Sequence, residues 1–138
     1  MLTARYSAHV MRDDGHGGSI VNTASLMGLA VSEMFNQQVG AFTYGVTKAG
    51  ILQMTRTMAG AWAKDGIRVN SVAPGFVWSG IHAGVVPEQA HEYMANHVPL
   101  GRFGYTNELS TSYLFLSSDA ASYLTGANLL VDGGYLVY

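Results

Sequence analysis

Hydrophobic spacing changes character several times along the chain. In "LTARYSAHVMR" Leu2, Tyr6 and Val10 recur at every fourth position, the spacing of one helix face, so residues 2–12 read as the closing turns of a helix. The glycine-rich "DDGHGG" breaks it, and "SIVNTAS" is a short β-branched run suited to a buried strand. "LMGLAVSEMFNQQVGAF" has no clean period and is expected to be loop. From about Thr43 to Lys64 the helical period returns, with Ile51, Thr55, Met58 and Trp62 along one side and Gly66 as the stop. "IRVNSVAPG" alternates into a second strand, halted by Pro74 and Gly75. A long irregular stretch follows, with a short helix expected near residues 88–96 between Pro87 and Pro99. Thr106 is placed to cap a further helix running to about Ser117, with Glu108 in its first turn, where the helix dipole favours an anion. A short helical turn in "DAASYL" closes on Gly126, and "NLLVDGG" supplies a third strand.

Strands that alternate with helices predict βαβ units, parallel pairing and right-handed crossovers, hence an α/β layer. The length of 138 residues suits a single domain, and 49 % hydrophobic against 12 % charged residues marks a chain that buries a core. A formal charge of −2 with no basic cluster in the sequence argues against nucleic acid or an anionic membrane as partner and favours small-molecule chemistry. Without cysteine there is neither disulfide nor thiolate metal site, as suits a reducing compartment. No signal-like start or long apolar span is present, so a cytoplasmic location is expected. The histidines at 9, 16, 82, 91 and 97 lack the i, i+4 pairing of a helical metal site; no metal is expected, and His91 and His97 read as solvated helix surface.

Candidate chemistry enters with "TYGVTKAG", where Tyr44 and Lys48 stand four positions apart on what is expected to be one helix face. An ammonium beside a phenol favours the phenolate, which makes the pair a potential general acid/base. Ligands of open parallel sheets sit beyond the carboxyl ends of strands, and three clusters fall there: "NTASLMG" with Ser25, "APGFVWSG", and "VDGG". A serine hydroxyl, a phenol and an ammonium at one rim would suit a carbonyl oxygen. Asn70, in mid-strand, reads as a structural hydrogen bonder, and Asp132, Gly133 and Gly134 as a tight turn.

Taken in order, "IVNTAS", "YGVTK", "GIRVNSVAPGFVWS", "GRFGYTNELS" and "FLSSDAASYLTGANLLVDGG" resemble the short-chain dehydrogenase/reductase family over almost the whole chain from Tyr6. The resemblance implies a partial Rossmann-like, doubly wound parallel sheet, with residues 1–138 as one partial domain holding the three carboxyl-terminal strands and flanking helices. It implies an oxidoreductase that moves a hydride between NAD or NADP and a small-molecule alcohol or carbonyl, as a homo-oligomer. Catalytic roles would fall to Ser25, orienting the substrate oxygen, to Tyr44 as acid/base, and to Lys48, which eases the deprotonation of Tyr44 and also holds the cofactor ribose. Pro74, Gly75, Val77 and Ser79 would line the nicotinamide, with serine at 79 where the family usually has threonine. Two features depart from the family. No three of the seventeen glycines satisfy GxxxGxG or GxGxxG at a strand-to-helix turn, so the pyrophosphate cradle is missing and the chain reads as the carboxyl-terminal half of such an enzyme. The 19 positions from Ser25 to Tyr44 exceed the usual spacing, which predicts a remodelled substrate loop around "SEMFNQQVGAF". The alternative is a non-catalytic fragment acting through association alone.

Overall fold

A computed structural model describes residues 1–31, 39–79, 91–92 and 95–137. Most of the expected substrate loop, residues 32–38, and much of the helix expected near residues 88–96 lie outside the described residues. In chain order the main elements are α1 (Leu2–Asp13), β1 (Gly18–Thr23), α2 (Val39–Trp62), β2 (Ile67–Pro74), β3 (Val77–Trp78), β4 (Gly104–Tyr105), α3 (Thr106–Ser117) and β5 (Asn128–Val131). Strands β1, β2 and β5 pair in parallel in that order, with Gly18 opposite Ile67 and Ser71 opposite Asn128. This is a mixed α/β fold with a parallel sheet and helices on both faces.

Side-chain alternation assigns the faces. Ile20, Ile67 and Val69 pack with Ala8 of α1 and with Met58 and Ala59 of α2. On the opposite face the Ser19 hydroxyl and the Arg68 guanidinium both donate to the Leu116 carbonyl of α3, each at 2.9 Å. The central strand therefore meets helices on both sides, and Val69, Asn70, Val72 and Ala73 are all fully buried. The expected alternation along "IRVNSVAPG" is thus replaced by continuous burial. Asn70 ties this strand to the segment before β5, its Nδ2 donating to the Leu124 carbonyl at 2.8 Å and its Oδ1 accepting from the Ala127 N–H at 3.0 Å.

Expectations for the helices and their connections need correcting. The helix α2 begins at Val39, so residues 39–42 are helical rather than loop. Leu2, Tyr6 and Val10 do share a face of α1, but it is the exposed one; the buried face is Ala8, flanked by Ala4 and Met11, because small residues let the helix lie close on the sheet. The two crossovers step the same way across the sheet with α2 and α3 on opposite faces, so they cannot both be right-handed. The second runs through the long segment from residue 75 to 127 and is not the compact unit whose twist enforces a hand.

Residues β3 and β4 form a small parallel pair that sequence spacing does not announce. Around it Trp78 and His91 meet edge to face at 4.7 Å, and His91 also contacts the Phe103 ring, so His91 belongs to an aromatic cluster and not to solvated helix surface. Helix α3 starts where expected, but Tyr105, not Thr106, holds the cap position, and the Glu108 carboxylate accepts the Tyr105 N–H at 2.7 Å. Arg102 grips the same carboxylate through both terminal nitrogens at 2.8 Å. Those hydrogen bonds, Arg102 first and the Tyr105 N–H second, pull the Glu108 carboxyl down to about 2. A folded value below the unfolded one gives stability that is present above about pH 4.5 and lost as the pH falls toward 2. Thermal unfolding of wild type and Glu108→Gln should therefore differ at neutral pH and converge across that window; a pH-independent gap would contradict the pairing. Both groups are exposed, so the gap is expected to be small.

Candidate active site

Parallel pairing brings the carboxyl ends of β1 and β2 to the same edge of the sheet, with Thr23 opposite Val72 and the Ala24 N–H extending the ladder to the Val72 carbonyl at 2.8 Å. Immediately beyond, Ser25 caps a single 3₁₀ turn, Leu26–Gly28, its Oγ accepting from the Met27 N–H at 3.3 Å. Ser25 is mostly buried, at 8 % exposure. That turn lies directly against α2. A Cβ on Gly28 would stand 2.7 Å from the Lys48 carbonyl carbon, and one on Gly45 would stand 3.1 Å from the Met27 carbonyl oxygen, so two glycines permit the contact.

Helix periodicity then does what the sequence spacing implied. Tyr44 and Lys48 share a face of α2, with Lys48 Nζ 5.5 Å from the Tyr44 ring centroid. The ammonium also donates to the Thr23 carbonyl at 3.0 Å, which anchors it to the end of β1. Thr23 is itself braced, its hydroxyl lying 2.8 Å from the Tyr113 hydroxyl of α3. Tyr44 is half exposed, and its hydroxyl makes no hydrogen bond among the described residues. Of the three candidate catalytic side chains, the structure thus brings Ser25, Tyr44 and Lys48 to one rim.

The other candidates sit on the neighbouring strand end. Pro74 closes β2 opposite Val131, and the Gly75 N–H donates to the Val131 carbonyl at 2.8 Å. A side chain at 75 would collide with the Asp132 backbone at 2.5 Å, which accounts for the glycine. Val77 opens β3 opposite Gly104, and Ser79 follows it. No hydrogen bond among the described residues joins Val77 or Ser79 to Tyr44 or Lys48. The Asp132 carboxylate accepts the N–H groups of Gly134 and Leu136, both at 2.9 Å, which makes "VDGG" a braced turn.

Sequence reasoning missed Gly28, Gly45 and Thr23. The glycines signal only through the backbone they approach, and Thr23 holds Lys48 through a carbonyl that any residue would supply.

A family model described as Enoyl-(Acyl carrier protein) reductase matches residues 1–136. The chain belongs to the short-chain dehydrogenase/reductase family. It is 42 % identical over 132 residues to the L-rhamnose 1-dehydrogenase (NAD(P)(+)) of Sphingomonas sp. strain SKA58, covering 95 % of this chain and 50 % of that protein. The crystal structure of a short-chain type dehydrogenase/reductase from Mycobacterium marinum superposes with a TM-score of 0.89 at 39 % identity, over 99 % of this chain and 52 % of that one. A short chain dehydrogenase from Leptospira borgpetersenii with bound NAD+ superposes with a TM-score of 0.84 at 32 % identity, over 97 % and 50 %. The chain therefore spans about half the length of the family members it matches.

Proposed function

We propose that residues 1–138 form one partial Rossmann-like domain carrying the proton-transfer rim of an NAD- or NADP-dependent oxidoreductase that interconverts a small alcohol and its carbonyl. The observation that carries this reading is the seating of the Ser25 turn on α2 beside the Tyr44 and Lys48 face. In the oxidative direction Ser25 holds the substrate oxygen while Tyr44, as phenolate, takes the hydroxyl proton; in the reductive direction Tyr44 returns it. Lys48 fixes a positive charge behind the phenol. A bound nicotinamide would accept or supply the hydride.

The residues present suit such a group. Lys48 has three N–H donors and gives one to Thr23, which leaves two for ribose hydroxyls. Ser79 makes no hydrogen bond among the described residues, so its hydroxyl is free for a carboxamide. The glycine-rich pyrophosphate turn does not occur in these 138 residues. Affinity is accordingly expected to be weak, held at the nicotinamide end alone.

Fluorescence titration of the purified chain with NADH and NADPH tests the reading. Lys48→Ala should abolish the weak binding, Ser79→Ala should weaken it by about 0.5–1.5 kcal/mol, and Ser79→Thr should leave it nearly unchanged. Equal affinities for wild type and Lys48→Ala would overturn the assignment. A second reading, a non-catalytic fragment acting through association with copies of itself, draws on the exposed Leu2, Tyr6 and Val10 stripe of α1. Association without any nicotinamide binding would favour it.

A further inference from the structure

Away from that rim, a cleft of about 210 Å³ lies between α1 and the end of α2, lined by Arg5, Ala8, His9, Arg12 and Trp62. Positions 5, 9 and 12 follow i, i+4 and i+7, so α1 gathers into one cleft three basic side chains that are dispersed in the sequence. This corrects the expectation that the chain has no basic cluster. Ala8, 1 % exposed, makes the floor, and the half-buried indole of Trp62 makes an apolar wall.

Only part of this positive charge is used within the protein. Arg12 gives Nε and Nη2 to Asp65 at 2.9 and 2.8 Å, which leaves Nη1 uncommitted. The side chains of Arg5 and His9 have no hydrogen-bond or ion-pair partner among the described residues. Two guanidiniums against the one carboxylate of Asp65 leave a local excess of positive charge in a chain whose formal net charge is −2, and the His9 imidazole adds a further polar group. A cation would be repelled there, and a neutral ligand would leave the guanidiniums unused.

Among anions the donor geometry discriminates. A carboxylate has two oxygens and suits one arginine fork, whereas a phosphoryl group has three and can engage two guanidiniums and an imidazole together. The volume is below the roughly 300–1,000 Å³ of sites for drug-sized ligands, so the cleft suits a phosphoryl head with part of one ring. Trp62 offers a face for that ring. We propose that this cleft binds a small phosphate monoester, its phosphoryl group on Arg5, His9 and Arg12 and its organic part against Trp62. Phosphoryl binding at this cleft is independent of hydride transfer and needs no turnover to detect.

Trp62 and Trp78 are the only tryptophans, so Trp78→Phe leaves Trp62 as a local fluorescence reporter. In that background uridine monophosphate and inorganic phosphate should give saturable changes, with the nucleotide tighter. Uridine and malonate should bind about tenfold more weakly or worse, and added salt should weaken the phosphoryl ligands. Arg5→Ala should cost about tenfold or more in affinity, and Arg5→Lys should recover part of it. Arg5 is exposed on a helix, where alanine is well tolerated, and unchanged circular dichroism would verify folding. Lys48→Ala should leave the binding intact, which separates this cleft from the nicotinamide rim. The proposal is overturned if neither phosphoryl ligand saturates by about 10 mM, a range covering even weak millimolar binding. It is also overturned if malonate or uridine matches uridine monophosphate, or if Arg5→Ala binds as wild type does.

Discussion

Tyr44→Phe is expected to lower kcat by ~10²–10⁴-fold, the usual contribution of a positioned proton donor, while cofactor binding stays nearly unchanged. The substitution removes one hydroxyl and little volume. Because Tyr44 is half exposed and its hydroxyl has no hydrogen-bond partner among the described residues, no internal contact is lost and stability should hardly move. Lys48→Ala should behave differently. Its ammonium both faces the Tyr44 ring and anchors to Thr23, so its loss should depress kcat and raise KM for the cofactor together. The measurement belongs in whatever assembly of this chain supports turnover, with single-turnover rates separating the chemical step from binding. A Tyr44→Phe protein that retains most of its kcat would remove Tyr44 from the proposed mechanism.

Periodic features of the sequence carried over well into the fold. The helix spanning Tyr44 and Lys48, the strand before Ser25 and the strand ending at Pro74 all emerge from hydrophobic spacing and from Gly and Pro stops. The i, i+4 relation alone sufficed to place the phenol and the ammonium together. Where the sequence misled, two local patterns competed with packing. The Leu2, Tyr6 and Val10 stripe is the stronger helical signal, yet Ala8 is what the sheet accepts, because close approach needs a small side chain more than an apolar one. Along β2, Asn70 and Ser71 mimic the polar phase of an alternating strand, but both are fully buried and have hydrogen-bond partners, Leu124 before β5 for Asn70 and Asn128 of β5 for Ser71. Arg5, His9 and Arg12 showed no charge run because their grouping exists only once α1 is wound. Tertiary contacts at glycine were invisible for a related reason: a missing side chain says nothing about what fills its place.

Gly28 carries the last and most structural of the expected effects. The 3₁₀ turn after Ser25 is pressed against the Lys48–Ala49 peptide so closely that a methyl group at 28 would lie 2.7 Å from the Lys48 carbonyl carbon and 2.8 Å from the Ala49 nitrogen. Both atoms are backbone within α2, so the helix cannot yield by rotating a side chain, and the turn itself must move outward. Overpacking of this kind costs about 1–3 kcal/mol. The turn carries Ser25, the proposed holder of the substrate oxygen, and misplacing a group in that role by about 1 Å can cost on the order of 10²-fold in rate. Gly28→Ala should therefore lose turnover out of proportion to its lost stability, while Lys48, held from Thr23 and not from the turn, still supports binding at the nicotinamide end. Gly50→Ala, on the same helix with nothing within 4 Å of the added methyl, is the matched control and should be neutral or slightly stabilising. Unfolding curves, NADPH titrations and rates on the three proteins decide it. Wild-type activity in Gly28→Ala would mean that Ser25 is not positioned by this contact, and the proposed rim would then lack its third member.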